Sequence, residues 1–178
     1  VREALVLLAA GIASLALESA LLAHLPTALV PALSLLCAIA AALLLGPLTG
    51  MLVSAVLGFG ADMLSGALLG QHAFLRLVEF ALVRSAVDQF DLVRPFPFAL
   101  LALAVALVDA AGSAALIEFF LGSFAADPRA LGAILLRAVV TAITAPLALA
   151  LARRVVAWGG GEGDVRREMR LETKRPVL

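Results

Sequence analysis

Residues 97–121 read PFALLALAVALVDAAGSAALIEFFL, an unbroken apolar run whose only charges are Asp109 and Glu118. Wound as an α-helix at ~1.5 Å per residue, it is long enough to cross a ~30 Å hydrocarbon core. Its apolar residues are continuous rather than alternating, which argues against a barrel strand, as does the absence of Tyr. Runs of the same kind recur on both sides. Upstream they cover 4–25, 30–45 and 47–65; downstream one covers 130–152. Between them, 72–87 is short and carries Arg76, Glu79 and Arg84. The pattern predicts an all-α bundle of about six transmembrane helices over 1–158, followed by a flexible basic tail over 159–178.

Composition agrees. Hydrophobic residues make up 63% of the chain, charged residues 15%, and the mean hydropathy is +1.11. A soluble domain of this size needs a polar shell that this composition does not supply, so a soluble enzyme is excluded. The lone cysteine, Cys37, rules out an internal disulfide framework and reads as a small packed side chain. The first apolar run is too long for a signal-peptide core and reads as a retained span. Val1 reads as a literally translated GTG start or a processed end. Pro26 closes span one, Pro31 falls in the first turn of span two, and Gly46-Pro47 makes a tight turn. Pro146 predicts a kink in span six.

Basic residues sort to one side. With the N-terminus in the cytoplasm and six crossings, Arg2, Arg84, Arg94, Arg153, Arg154 and the tail's Arg166, Arg167, Arg170, Lys174 and Arg175 lie inside, and Arg129 alone lies outside. Both termini are therefore expected in the cytoplasm. Trp158 is expected at the inner interface, and the tail reads as solvated, with a segment lying on anionic lipid or touching a cytoplasmic partner as the sharper alternative.

Seven ionisable residues fall within the spans: Glu18, Asp62, Arg76, Glu79, Asp109, Glu118 and Arg137. Facing lipid at the bilayer centre, each would cost at least ~2.5 kcal/mol, so they are expected to face the bundle interior as one polar cluster in the outer half. Five acids against two bases leave acids to be matched by water, a proton or a polar partner. Arg76 and Glu79 are three apart on one helix and can pair. Arg137 is expected to reach Glu118 or Asp109. His24 and His72 have no metal-ligand spacing, and no nucleotide loop or catalytic triad is present. No cofactor, metal or catalytic residue is expected, and no nucleic acid.

Span three carries small residues at spacing four: Gly46, Gly50, Ser54 and Gly58, then Asp62, Gly66 and Gly70. Such a stripe lets another helix backbone approach closely, either within the bundle or on a partner. Gly66 and Gly70 permit a positive φ where the helix ends, and Ser65 can bond freed backbone groups there. Asp62, one turn before that end, opposes the helix dipole and needs a compensating partner, for which Arg76 or Arg137 is the candidate.

The stretch from Gly58 to Phe74, GFGADMLSGALLGQHAF, with Asp62, Ser65, Gly66 and Gly70 in place, resembles the signature region of the MreD family of rod shape-determining membrane proteins. Arg76 and Glu79 depart from the mostly apolar helix expected after it. The resemblance implies a non-catalytic scaffold in the inner membrane that binds MreC and supports lateral peptidoglycan synthesis and rod cell shape. It implies contact through MreC with RodA and its penicillin-binding transpeptidase, and places the MreB filament on the inner face as a further candidate. It also implies a fold like that of the substrate-binding subunits of energy-coupling-factor transporters. The alternative is therefore a vitamin-like small-molecule carrier subunit, echoed by Ala9, Ala10 and Ala13 in span one. Against it stands the scarcity of amide and aromatic groups. A proton channel or intramembrane enzyme would rest only on Asp109 and the surplus carboxylates.

Overall fold

A computed structural model describes residues 2–65, 69–87, 95–122 and 128–159. The expected tail, apart from Gly159, lies outside them, as does Gly66 of the stripe. Six α-helices follow in order: α1 (Arg2–Leu22), α2 (Leu33–Leu44), α3 (Pro47–Ser65), α4 (Gln71–Val87), α5 (Pro95–Leu121) and α6 (Pro128–Trp158). A short 3-10 turn, Thr27–Leu29, precedes α2. No strand occurs among the described residues.

The helix starts follow local chemistry. α3, α5 and α6 each begin on a proline, where the missing N–H costs nothing and φ is already helical. α2 starts later than the apolar run suggests. Pro31 forces Val30 into an extended conformation (φ −92°, ψ 116°), so the chain enters stretched and coils only from Leu33. Pro31 thus lies before the helix rather than in its first turn. α6 runs through Pro146 as one helix, Pro128–Trp158.

α2 is the axis of the molecule. It touches each of the other five helices, and these close a ring in the order α1, α3, α4, α5, α6 and back to α1. A helix in that position has no lipid face, and α2 is accordingly apolar throughout its 12 residues but for the buried Ser34. Leu35, Leu36, Ile39, Ala41 and Ala42 are buried at its core, packed on Leu7, Leu57, Val83 and Ala145 from the ring. The ring's outer surface is the reverse of a soluble protein's. Leu5, Ile12, Leu52, Phe59, Leu100, Ile143 and Leu147 are all exposed, as lipid contact requires. Among the described residues, five helical segments are long and apolar enough to span a membrane; α4, at 17 residues and with its buried charges, is not one of them and takes its place in the ring by packing.

The helices alternate in direction. The last turn of α1, the start of α2, the end of α3, the start of α4 and the early turns of α6 meet through side chains at one end, here the polar end. At the opposite end, Arg84 Nη1 donates to the Ala42 carbonyl (3.0 Å), placing a cation on the negative end of the α2 dipole. Gly159 comes back to Glu3 at that same end, so Arg2, Arg84, Arg153 and Arg154 share it.

Candidate functional site

The small-residue stripe of α3 is used inside the chain. A Cβ at Gly58 would meet Ala73 Cα and the His72 carbonyl at 2.6 Å, so α4's backbone already fills that space. A Cβ at Gly50 would meet the Ala41 carbonyl and the Phe80 ring at 2.8 Å, which are α2 and α4. Ser54 between them is fully buried. Gly46 sits exposed with nothing near its missing Cβ, and Gly70 takes a positive φ of 92° in the turn before α4. Close approach of backbones is what holds helices together in lipid, and here the partners are α2 and α4.

Asp62 closes the turn that follows. Its carboxylate accepts N–H bonds from Gly70 (2.9 Å), His72 (2.8 Å) and Ala73 (3.2 Å), and its Oδ1 lies 2.8 Å from His72 Nδ1. Those amides are orphan donors at the α4 N-terminus, where a negative charge also meets the positive end of the dipole. The expectation that Arg76 or Arg137 balances Asp62 is therefore corrected. A carboxylate projecting from one helix caps the next, and Ser65 donates back to the Asp62 carbonyl (3.3 Å).

Glu18 does the same for α2. Its Oε2 accepts the Ser34 N–H (3.0 Å) in the first turn of that helix, while Oε1 takes a 2.6 Å bond from Arg137 Nη2. Thr141, one turn along α6 from Arg137, accepts the Ala32 N–H (3.0 Å) and donates to the Arg137 carbonyl (2.8 Å). The buried start of α2 is thus capped from α1 and α6 together. Arg137 pairs with Glu18, not with Glu118 or Asp109 as the sequence suggested. Glu118 itself is exposed near the end of α5, outside the buried cluster.

The third unit lies deeper. Arg76, 2% exposed, pairs with Glu79 on its own helix and with Asp109 of α5 (3.3 Å). A buried guanidinium held between two carboxyl groups fixes α4 against α5, because removing it leaves an uncompensated buried charge.

These three units surround a cavity above the start of α2. Its volume is about 330 Å³, and its polar walls are Gln71, His72, Asp109, Ser113, Arg137 and Thr141. A smaller lobe of about 180 Å³ reaches Glu18, Ser34 and Arg76. The cavity exists because α2 starts late, leaving the axis of the ring empty at the polar end. Gln71, Thr141 and the capping use of His72 are the participants that sequence reasoning passed over. Thr141 had one signal, its place four residues after Arg137 on the same helical face.

Residues 4–154 match the family model described as rod shape-determining protein MreD, a match that takes in all six helices. No curated protein and no solved structure matches the chain. The match covers most of the chain and includes the Gly58-to-Phe74 stretch whose Asp62 caps α4. The chain belongs to the MreD family of rod shape-determining membrane proteins.

Proposed function

We propose that this chain is a non-catalytic scaffold of the cell-elongation machinery that binds MreC within the inner membrane. Through MreC it supports lateral peptidoglycan synthesis by RodA and its penicillin-binding transpeptidase. The observation that carries the docking surface is a second small-residue stripe, on α1. Ala9, Ala13, Ala16 and Ala20 are all exposed, spaced four, three and four apart. The α3 stripe is filled by the chain's own helices at Gly50 and Gly58; this one is left exposed among the described residues. Spacing of this kind admits the backbone of a single foreign helix. The free face of α5 offers bulk instead, with Leu100, Leu107, Val108, Phe119 and Phe120. The basic end, with Arg2, Arg84, Arg153 and Arg154, is cytoplasmic by the positive-inside rule, which puts the polar end outside, where MreC carries its large periplasmic part.

The test is co-purification. Ala13→Leu and Ala16→Leu point away from the bundle and should leave the elution profile of the chain unchanged while abolishing recovery of MreC. MreC recovered at the level of the unsubstituted chain would remove α1 from the reading.

A carrier reading is favoured by one observation, the cavity, whose volume is at the low end of small-molecule sites. A vitamin retained through purification in native mass spectrometry would establish it.

A further inference from the structure

We propose that Glu79, Asp109 and Arg76 form a buried proton-binding site, in which the two carboxyl groups share one proton and exchange it with water at the polar end through the cavity. The site lies in the chain's own core and is independent of MreC docking on α1. Three observations carry it.

The first is the count of partners. Asp62 is satisfied by three backbone amides, Glu18 by Arg137 and the Ser34 amide, and Glu118 is exposed. Glu79 and Asp109 are left with one cation between them. Nη1 of Arg76 bonds both Glu79 Oε2 and Asp109 Oδ1, the second at 3.3 Å. The Arg76 and Glu79 side chains are 3% and 1% exposed. The elements around them bring no further cation that is unpaired. α2 carries no charged residue, Asp62 of α3 is tied to His72 of α4, and Glu18 of α1 pairs with Arg137 of α6. In a low-dielectric surround, two carboxylates on one guanidinium leave a negative charge bare, and one proton makes the trio neutral.

The second is an oxygen without a donor. Glu79 Oε1 is buried and has no hydrogen-bond partner. A carboxylate oxygen left so bears its full desolvation penalty. As a hydroxyl the same atom becomes a donor, and the Asp109 carboxylate, which interacts directly with Glu79, is the acceptor at hand.

The third is a route with one end. Asp109 lines both lobes of the cavity, and its side chain is 20% exposed. A proton from cavity water reaches the Asp109 carboxylate first and passes to Glu79 behind it, one O–H bond forming as another breaks. Beyond Glu79, toward the basic end, Ile39, Val83 and Phe98 are buried and apolar. The site therefore takes up a proton from the polar end and does not conduct it across the bundle.

The experiment is infrared spectroscopy of the full chain at neutral pH in a maltoside detergent, which has no carbonyl to mask the C=O stretch of a protonated carboxyl. One such band is expected, and it should shift in D2O. It should vanish in Glu79→Gln, and equally in Asp109→Asn, where Glu79 is left alone with Arg76 and ionises. Ser113→Leu, one turn from Asp109 on the cavity wall, should keep the band and slow its shift in D2O. The unsubstituted chain is a test by itself, since absence of the band would overturn the site even if a variant failed to fold. A band that survives Glu79→Gln or Asp109→Asn would overturn the shared proton. Exchange as fast in Ser113→Leu as in the unsubstituted chain would overturn the route.

Discussion

Replacing Asp62 tests whether a carboxylate on one helix holds the start of the next. In Asp62→Ala, the N–H groups of Gly70, His72 and Ala73 and the His72 ring lose their acceptor together. A buried donor left unpaired costs ~1–3 kcal/mol. Gly70, His72 and Ala73 are half-buried, so water partly replaces the lost oxygen. The low end for each of three amides puts the loss at about 3 kcal/mol. Asp62→Asn keeps one acceptor oxygen and loses the one that serves Gly70 and Ala73, so about two-thirds of that, ~2 kcal/mol, is expected. Equilibrium unfolding of the full chain in mixed micelles reads both, with Leu147→Ala, an exposed position on the lipid side, as the control. The expected order is control, then Asn, then Ala. An Asp62→Ala chain within ~0.5 kcal/mol of the control would refute the capping argument.

Gly58→Leu should prevent folding outright, because its side chain meets the α4 backbone, whereas Gly46→Ala, with open space at its Cβ, should fold normally; yield of monodisperse protein checks both. Arg137→Gln leaves the buried Glu18 carboxylate unpaired and should destabilise more than Glu18→Gln, which leaves the partly exposed Arg137, and the double variant should lose less than the sum by ~1–3 kcal/mol in the same unfolding assay.

The spans were legible because their signal is crude: length and apolarity suffice, and α3 and the end of α5 lie where the runs predicted. The Arg76–Glu79 pair was legible because both partners share one helix. The axial position of α2 was not. Apart from Ser34 its residues are apolar on every face, and α5, which lines the outside, is nearly as apolar, with Asp109, Ser113 and Glu118 its polar exceptions; in a bilayer Leu and Ala face lipid or protein with equal ease, so periodicity does not separate the two. The pairing of Asp62 was missed for a different reason. Sequence reasoning sought a cation to balance the carboxylate, while the partners are backbone amides, which every residue carries and no letter marks. Glu18 escaped for the same reason, its second oxygen going to the Ser34 amide. The late start of α2, which creates the cavity, was written in Pro31 but depends on the extended entry that proline imposes.

Of the two small-residue stripes, the one on α3 packs against the chain's own helices and the one on α1 is the proposed docking line for MreC. Photo-crosslinking in cells measures this directly, with a photoreactive residue placed singly at Ala13, Ala16 or Phe59, an exposed position on α3. Adducts with MreC are predicted at Ala13 and Ala16 and not at Phe59. MreC captured from Phe59, with none from either alanine, would contradict it.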